Sequence, residues 1–259
     1  MEKPQKNLLK KLFLEHSNYI LILDIDGTLA PFKKERQNVN LWPGIREILE
    51  QIISAEKSEV IFVTGRKASE AEKILNLKNK PKIWGEHGWE VLNKNGSLKK
   101  HPFDKTKKEL LEQIFLTAQR NVPKECLEKK YSGIAIHWRG LTQKEKDAIN
   151  KWLENQGLPL VEKAGFEKMP FDGGLEIRVP GRDKGVVVRE IVNSSPKNSL
   201  FAYLGDDMTD EKAFVELPED GISVLVRKDP RKTKAKFWIC PPQELIEFLK
   251  IWKECLKFE

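Results

Sequence analysis

Two carboxylates near the start of the chain are placed where they could do chemistry. Asp24 and Asp26 stand one residue apart, at the end of the apolar run Ile20–Leu23, which predicts a buried strand. Side chains two positions apart on a strand point to the same side, and Gly27 then permits a sharp turn that lets backbone approach a ligand. Two ionised carboxylates held together there repel each other, unless a cation neutralises them or one of them carries a proton. The spacing therefore predicts metal-ion or acid–base chemistry rather than an ordinary polar turn.

Further polar residues follow other apolar segments. Thr64 ends a second apolar run, and Lys184 opens a predicted helix. A third apolar run ends in three acids, which are Asp206, Asp207 and Asp210. Because ligands bind at the carboxyl ends of strands in an open parallel sheet, we expect all these groups to converge there. Two local alternatives stay open, since a threonine is also a favoured helix N-cap and the acids could cap a following helix.

Strands and helices alternate in both outer parts of the chain. The apolar runs predict strands at Ile20–Asp24, Val60–Val63, Ile83–Trp84, Leu200–Leu204 and Ile222–Val226. Helical periodicity predicts helices at Pro43–Ala55, Ala68–Leu75, Lys184–Val192 and Leu245–Leu256. Such alternation is typical of right-handed βαβ units and of a parallel sheet covered by helices on both faces.

The middle of the chain has a different pattern. It predicts helices at Lys105–Gln119 and Thr142–Asn155, and strands at Tyr131–Arg139, Leu158–Val161 and Leu175–Val179. Helices beside alternating strands indicate an α+β unit with one solvated sheet face. We therefore expect an α/β fold with a Rossmann-like parallel-sheet core at residues 1–100 and 182–259. A smaller α+β domain would be inserted at residues 101–181.

Composition and charge narrow the class of protein. The 259 residues are 33% charged and 39% hydrophobic, which is typical of a folded chain rather than a disordered or membrane one. Lys and Arg total 46 against 39 acids, but the lysines alternate with glutamates along predicted helices, as on solvated helix faces. We therefore expect no nucleic-acid partner, and the basic balance suits an anionic small-molecule substrate.

The cysteine content and the hydropathy of the sequence indicate where in the cell the protein is expected. The three cysteines match neither a zinc pattern nor a disulfide framework, which favours a reducing cytoplasm. No apolar run approaches the roughly 18 residues of a membrane span, and residues 1–11 lack the apolar segment of a signal peptide. We expect a cytoplasmic protein without membrane partners. The sequence contains no long exposed heptad pattern, so we expect a monomer.

Taken together, these motifs resemble those of the haloacid dehalogenase (HAD) superfamily of phosphatases. They are Asp-x-Asp-Gly-Thr at residues 24–28, a threonine closing a strand, a lysine, and Gly-Asp-Asp-x-x-Asp at residues 205–210. The insertion is similar to the second type of cap domain in that superfamily, which carries substrate specificity. The resemblance covers nearly all of the core, and the cap more loosely. It implies a HAD-type parallel-sheet core with an inserted cap.

The resemblance also implies a mechanism. Asp24 would be the nucleophile that forms an aspartyl-phosphate, which divides one difficult hydrolysis into two easier steps. Asp26 would protonate the leaving oxygen and later deprotonate water. Asp24, the backbone carbonyl of Asp26 and Asp206 would ligate Mg²⁺, which prefers oxygen ligands. Thr64 and Lys184 would bind the phosphoryl oxygens.

Three neighbouring residues would support this chemistry. Asp207 and Asp210 would lie around the metal ligands and orient water or Lys184. Arg66 would contact phosphate or the start of a helix, and a purely structural role for it stays open.

Several segments resemble trehalose-6-phosphate phosphatases in particular. These are the acidic loop Gly205–Glu211, the segment Gly85–Gly88 and the strand Tyr131–Arg139. The resemblance implies sugar contacts from Glu86, His87, Glu128, Lys130, Ser132, His137, Arg139, Glu176 and Arg178. For some of these an alternative stays open, because Glu176 and Arg178 could form cross-strand pairs and His137 could be a core residue. The tryptophans at 84, 89, 138 and 152 could stack on sugar, although core packing is their commoner role.

One segment departs from the family pattern and leaves the substrate open. The family commonly has a Gly-Lys pair shortly before the glutamate that matches Glu176, whereas Met169–Gly174 contains no lysine. Trehalose 6-phosphate is the expected substrate, and another phosphorylated glycoside or sugar, such as glucosylglycerol phosphate or sucrose phosphate, is the alternative. A non-catalytic sugar-phosphate-binding subunit is a third hypothesis, which the second aspartate disfavours because a binder has no need for it.

Overall fold

The structure is a computed structural model that describes residues 3–32, 38–171 and 173–257. Contacts between residues divide the chain into two units. The core unit comprises Met1–Lys100 and Arg182–Glu259, and the inserted unit comprises His101–Gly181. No helix in the described ranges is long and apolar enough to cross a membrane.

The described residues form twelve strands and nine α-helices. The strands are β1 (Asn18–Leu23), β2 (Ser58–Val63), β3 (Lys82–Gly85), β4 (Glu90–Leu92), β5 (Leu98–Lys100), β6 (Leu127–Lys129), β7 (Gly133–His137), β8 (Glu167–Phe171), β9 (Gly174–Arg178), β10 (Ser199–Gly205), β11 (Ile222–Val226) and β12 (Phe237–Ile239). The helices are α1 (Lys3–Glu15), α2 (Ile45–Ser54), α3 (Ala68–Leu75), α4 (Lys105–Ala118), α5 (Gln143–Trp152), α6 (Leu158–Lys163), α7 (Lys184–Ser194), α8 (Glu211–Phe214) and α9 (Gln243–Cys255).

The sheet of the core unit places β1 at its centre. Its order is β12-β11-β10-β1-β2-β3-β4-β5. The strands from β12 to β3 run parallel, and β4 and β5 add an antiparallel edge. The strand that follows β1 in the chain lies on one side of it, and β10 lies on the other. The carboxyl end of β1 is therefore a topological switch point, where ligands bind in open α/β sheets.

Alternation along β1 divides the core unit into two apolar layers. Tyr19, Leu21 and Leu23 pack on one face with apolar residues of α1, α2, α3 and α9. Ile20 and Ile22 pack on the opposite face with residues of α7 and α8. A strand buried on both faces needs a continuous apolar run, which explains the sequence that precedes the two aspartates. The predicted parallel sheet with helices on both faces is confirmed.

The inserted unit contains an antiparallel sheet with the order β6-β7-β9-β8. On one side of it Ile134, Ile136 and Ile177 are completely buried. The alternate positions of β9 carry Glu176 and Arg178, so the opposite side of this sheet presents charged groups. Its helices are α4, α5 and α6, and the predicted α+β composition of this part of the chain is confirmed.

One predicted strand is wrong. The residues Leu158–Val161 begin α6 instead. A short apolar run cannot be assigned to strand or helix by periodicity alone, and here the buried positions Leu153 and Val161 lie eight residues apart, as on one helix face. Pro159 is the second residue of α6, which continues directly from a π-helical turn at Leu153–Gly157.

Candidate active site

The turn after β1 brings backbone close to a second acidic segment. Gly27 has a φ of +80°, and its N–H donates to the carbonyl of Ala30 at 2.8 Å. A Cβ atom at this position would lie 2.1 Å from Oδ2 of Asp206. Only glycine permits both the positive φ and this approach. The turn therefore places the Asp24 segment directly against the loop that follows β10.

Lys184 joins two of the predicted acids. Its Nζ lies 3.0 Å from Oδ1 of Asp24 and 2.8 Å from Oδ1 of Asp210, and all three side chains are buried. Asp183 caps α7 by accepting from the N–H of Val186 at 2.9 Å, which fixes the helix start that carries the lysine. Burial by itself lowers the pKa of Lys184, but Asp210 and Asp24 outweigh it and hold the pKa above its ordinary value. The ammonium therefore stays charged.

Asp210 is a fully bonded acceptor at the centre of this cluster. Its Oδ1 accepts from Lys184 and, at 2.6 Å, from the hydroxyl of Tyr203. Its Oδ2 accepts from the backbone N–H groups of Asp206 at 3.0 Å and Asp207 at 2.9 Å. The carboxylate thus orients Lys184 on one side and the acidic loop on the other. The sequence expectation placed Asp210 in this supporting position.

The cluster has the donor set of a divalent-cation site. Oxygens of Asp24, Asp206 and Asp210 lie within 4.8 Å of one another. Oδ1 of Asp206 is buried and has no hydrogen-bond partner among the described residues. Since both oxygens of Asp210 already accept hydrogen bonds, Asp24 and Asp206 are the residues that fit Mg²⁺, which binds through one or two carboxylates.

Electrostatics support the same assignment. Burial raises the pKa of Asp24 to about 8, with Lys184 opposing the rise and Asp210 and Asp26 adding to it. Burial, together with the charge of Asp24, also raises the pKa of Asp206 well above its ordinary value. Lys184 alone does not compensate the buried carboxylates, and a divalent cation would favour their ionised forms.

Thr64 and Arg66 follow β2 at the same edge of the sheet. Thr64 is buried, and its Oγ1 accepts from the N–H of Arg66 at 3.2 Å. It does not cap α3, because the N-cap position of that helix is Lys67. The guanidinium of Arg66 binds both oxygens of Asp26, each at 2.6 Å. The arginine predicted to contact phosphate therefore contacts the predicted acid–base residue in this structure.

Glu86 and His87 form a short 3₁₀ turn directly after β3. Both are buried, with φ of 48° and 55°, which is unusual for residues that have a side chain. The N–H of Glu86 donates to the carbonyl of Arg66 at 2.8 Å, and that of His87 donates to the carbonyl of Thr64 at 3.0 Å. The structure places this turn against the backbone that positions Thr64 and Arg66.

The remaining predicted sugar contacts lie in the inserted unit. Lys130 and Glu176 form a buried ion pair at 2.8 Å, and Ser132, two residues after Lys130, is also buried. Arg178 binds Glu167, its cross-strand neighbour, at 2.8 Å.

The other residues of this set are more accessible. His137 is partly exposed and lies 3.2 Å from Glu128, so it is not an apolar core residue. Arg139 is exposed, and its Nε lies 3.0 Å from the position of a Cβ on Gly173. Within the segment that lacks a lysine, Asp172 lies outside the described residues. Of the four tryptophans, those at 84, 89 and 152 are buried.

Sequence reasoning missed several residues that support the site. Tyr203 lies inside the β10 run and carries no sign of its bond to Asp210. Arg227 and Arg231 donate to the backbone carbonyls of the acidic loop, at 3.3 Å and at 3.2 and 2.8 Å. Arg182 donates to the carbonyl of Gly88 at 2.6 Å. The only signal was a group of basic residues after β11, which by itself indicates an exposed loop.

The chain is similar in sequence to known phosphatases. A family model described as trehalose-phosphatase matches residues 22–239. Trehalose 6-phosphate phosphatase RA3 of Zea mays is 26% identical over 257 residues, which cover 89% of this chain and 68% of the maize protein. A trehalose-phosphate phosphatase of Mycobacterium marinum is 25% identical over 241 residues, covering 88% of this chain and 60% of that protein. The chain thus spans about two thirds of the length of these curated relatives.

Solved structures show the same fold. The C-terminal domain of the Candida albicans trehalose-6-phosphate phosphatase has a TM-score of 0.76 at 21% identity, and the match covers 96% of both chains. A phosphatase of the HAD superfamily from Bacteroides thetaiotaomicron has a TM-score of 0.61 at 14% identity, covering 93% of this chain and 96% of that one. The fold is thus the predicted HAD fold, and because the family model covers most of the sequence, the chain belongs to the trehalose-phosphatase family.

Proposed function

We propose that the chain is a Mg²⁺-dependent phosphatase that hydrolyses trehalose 6-phosphate to trehalose and phosphate. The observation that carries the proposal is the buried set of Asp24, Lys184 and Asp206, in which Lys184 contacts Asp24 and one oxygen of Asp206 lacks a partner among the described residues. Family membership supports the reaction, and the names of the relatives support the substrate.

In the first step a carboxylate oxygen of Asp24 attacks phosphorus and the bond from phosphorus to the sugar oxygen breaks. Asp26 gives its proton to the leaving oxygen, so that the sugar departs as a neutral alcohol. Lys184 places its positive charge beside the attacked group, where it offsets the charge on the phosphoryl oxygens. Thr64, whose hydroxyl can donate, is the second candidate ligand for those oxygens.

In the second step a water molecule attacks the aspartyl-phosphate. Asp26, now ionised, takes a proton from the water, and the bond between phosphorus and Asp24 breaks to release phosphate and restore both residues. In the structure Arg66 donates to both oxygens of Asp26 at 2.6 Å, which favours the ionised form that accepts the proton in this second step. One of these hydrogen bonds has to open for Asp26 to carry the proton of the first step.

Asp24, Asp206 and the backbone carbonyl of Asp26 would hold the cation. When bound, Mg²⁺ supplies positive charge that reduces the repulsion between the nucleophilic carboxylate and the phosphoryl group.

A second substrate class is favoured by one observation. The segment Met169–Gly174 contains no lysine where the family commonly has one, so this sugar contact is either missing or made by Lys168 or Lys163. Another phosphorylated glycoside is therefore the alternative substrate.

The test is phosphate release from a panel of sugar phosphates, with and without Mg²⁺. We expect trehalose 6-phosphate to have the highest kcat/KM and the activity to disappear with a chelator. A higher kcat/KM for sucrose phosphate or glucosylglycerol phosphate would favour the alternative substrate. Equal values for glucose 6-phosphate and trehalose 6-phosphate would contradict disaccharide specificity. The absence of turnover with every member would contradict the enzyme itself.

A further inference from the structure

The segment after β11, residues 227–234, lies along the acidic loop of residues 205–210. Arg231 donates from one terminal nitrogen to the carbonyls of Asp206 at 3.2 Å and Asp207 at 2.8 Å. Arg227 donates to the carbonyl of Asp206 at 3.3 Å. Two guanidinium groups therefore bind the main chain of the loop that carries the candidate metal ligand, and the family resemblance assigned a role to neither.

Asp210 binds the peptide groups on either side of Asp206. The N–H groups of Asp206 and Asp207 donate to its Oδ2, so the Asp206–Asp207 peptide group is bound at both its N–H and its carbonyl, and the preceding peptide group is bound at its N–H. This arrangement restricts rotation of the two peptide planes that flank the Cα of Asp206. It therefore fixes the direction in which the Asp206 side chain leaves the backbone.

Glu211 holds Arg231 in place. Its Oε1 accepts from the other terminal nitrogen of Arg231 and, at 2.8 Å, from the hydroxyl of Thr233. Its Oε2 accepts from the N–H of Lys234 at 2.6 Å. Because Glu211 follows directly on the acidic loop, this one carboxylate ties the loop to the basic segment.

A loop that carries three aspartates needs such support. Asp206 and Asp210 are buried close to Asp24, and their negative charges repel one another. Without a cation that repulsion favours displacement of the loop that carries Asp206 away from Asp24. The guanidinium groups oppose this displacement because they bind the main chain, and they leave the carboxylate oxygen free for a ligand.

We propose that Arg231, oriented by Glu211 and assisted by Arg227, is a positioning residue for the divalent cation. It presets the Asp206 carboxylate toward Asp24 and so raises the affinity for the metal, without touching substrate or the reacting atoms. This inference rests on the proposed function insofar as that function requires Mg²⁺ at Asp24 and Asp206.

The experiment compares Arg231→Met and Arg231→Lys with a matched control. Arg189→Met is that control, because Arg189 binds Glu216 with two nitrogens on the surface of the same unit but donates to no carbonyl of the acidic loop. Mn²⁺ affinity is measured by electron paramagnetic resonance on the full chain without substrate. The Mg²⁺ concentration for half-maximal phosphate release and the kcat at saturating Mg²⁺ are measured separately.

We expect Arg231→Met to weaken Mn²⁺ binding about 10- to 100-fold, as is usual when a partner of a metal ligand is removed. The half-saturating Mg²⁺ concentration should rise in parallel, while kcat at saturating Mg²⁺ stays within about threefold of the parent value. The Mn²⁺ affinity of Arg231→Lys should lie between those of the parent and Arg231→Met. The lysine keeps one donor group but cannot bind two carbonyls and Glu211 together. The control should bind Mn²⁺ within about twofold of the parent.

A Mn²⁺ affinity of Arg231→Met within twofold of the parent would overturn the proposal. If that variant does not fold, as judged by its thermal melt, Arg231→Lys decides by the same criterion. A parent protein that binds Mn²⁺ yet hydrolyses no sugar phosphate contradicts the proposed function alone, because the Mn²⁺ comparison still tests Arg231. A parent that binds no Mn²⁺ contradicts both.

Discussion

Burial strengthens the interactions between the charged residues of the candidate site. Lys184, Asp24 and Asp210 are each less than 5% exposed, so water screens their interactions weakly. A buried ion pair is costly to form, and it persists only where further hydrogen bonds satisfy the remaining polar atoms. Tyr203 and two backbone N–H groups meet that requirement at Asp210. Asp24 has the ammonium of Lys184 and the backbone N–H of Ile25 as its partners.

Substitution of each of the two aspartates after β1 should affect turnover differently. Asp24→Asn should reduce turnover below about a thousandth of the parent rate, since a covalent nucleophile is removed, and no phosphoenzyme should be trapped. Asp26→Asn should slow trehalose 6-phosphate turnover about 100- to 10,000-fold, the usual contribution of a general acid–base. Rapid-quench kinetics measures both effects.

An activated aryl phosphate separates the roles further. Its leaving group needs no proton, so Asp26→Asn should show a burst of one phenolate per site followed by slow turnover, whereas Asp24→Asn should show none. Near-native steady-state activity of Asp24→Asn would mean that the nucleophile is a different group. A normal second step in Asp26→Asn would remove Asp26 from the acid–base role.

At the scale of elements, the turn after β1 depends on one glycine for close packing. Gly27→Ala introduces a Cβ 2.1 Å from Asp206 Oδ2 in addition to a strained φ of +80°. Gly44→Ala is a matched control, because Gly44 has a φ of +84° and nothing within 4 Å of the added atom. Both substitutions carry a backbone cost of about 1–2 kcal/mol.

Only Gly27→Ala should also displace the Asp206 carboxylate. We expect its Mg²⁺ requirement to rise at least about tenfold while that of Gly44→Ala stays near the parent value, as measured by Mg²⁺ titration of phosphate release. Equal Mg²⁺ requirements in the two variants would mean that the packing of Gly27 on the acidic loop is unimportant.

The start of α8 should contribute stability that depends on pH. Burial raises the pKa of Glu211, but hydrogen bonds from Lys234, Arg231 and Thr233 outweigh burial and hold the pKa below 4.5. Because the folded pKa is depressed, the stabilisation is present above the ordinary glutamate pKa and is lost as the pH falls through the folded value. The window therefore lies below about pH 4.5.

Glu211→Gln should accordingly lower the free energy of unfolding by about 2–3 kcal/mol at pH 7. The difference from the parent should shrink as the pH falls below about 4.5. Urea unfolding across this range measures it, with Glu15→Gln as the control, since Glu15 is half exposed and lies 3.6 Å from Lys11. A difference that does not vary with pH would show that the charge of Glu211 contributes nothing to stability.

At the scale of the whole molecule, we propose that the core unit carries the chemistry and that the inserted unit acts as the cap that selects the sugar. The core unit holds every residue assigned to the nucleophile, proton transfer and metal. The inserted unit instead presents charged side chains on one side of its sheet, including the pair Lys130 and Glu176. Carboxylates and ammonium groups there suit the many hydroxyls of a disaccharide.

This division predicts a substrate-dependent effect of Glu176→Gln. We expect the KM for trehalose 6-phosphate to rise about tenfold, as for the loss of one charge-assisted hydrogen bond, with little change for an aryl phosphate that lacks a sugar. Glu112→Gln is the control, because it removes an ion pair with Lys129 from the same unit and neither residue belongs to the predicted sugar contacts. Steady-state kinetics with both substrates measures the contrast, and an equal loss on both would remove Glu176 from sugar recognition.

Local patterns in the sequence predict the strands and helices of the core and the side chains that gather at its sheet edge. Apolar runs that end in polar residues are local patterns, and a strand buried on both faces leaves few other readings. The sequence therefore predicts one shared sheet edge for Asp24, Asp26, Thr64, Lys184 and Asp206. The role of Gly27 in a sharp turn was likewise predictable, because the turn that follows a strand end has strict backbone requirements.

Which groups these residues contact depends on the tertiary fold. Arg66 binds Asp26, and Arg231 binds the acidic loop from a segment about 25 residues further along the chain. Such pairs depend on how distant segments pack, which no local pattern contains. The same holds for α6, because a short apolar run adopts helix or strand according to the surface that buries it. The sequence predicts that the two acids at the end of β1 form a reactive site. The groups that orient these acids can be identified only from the folded structure.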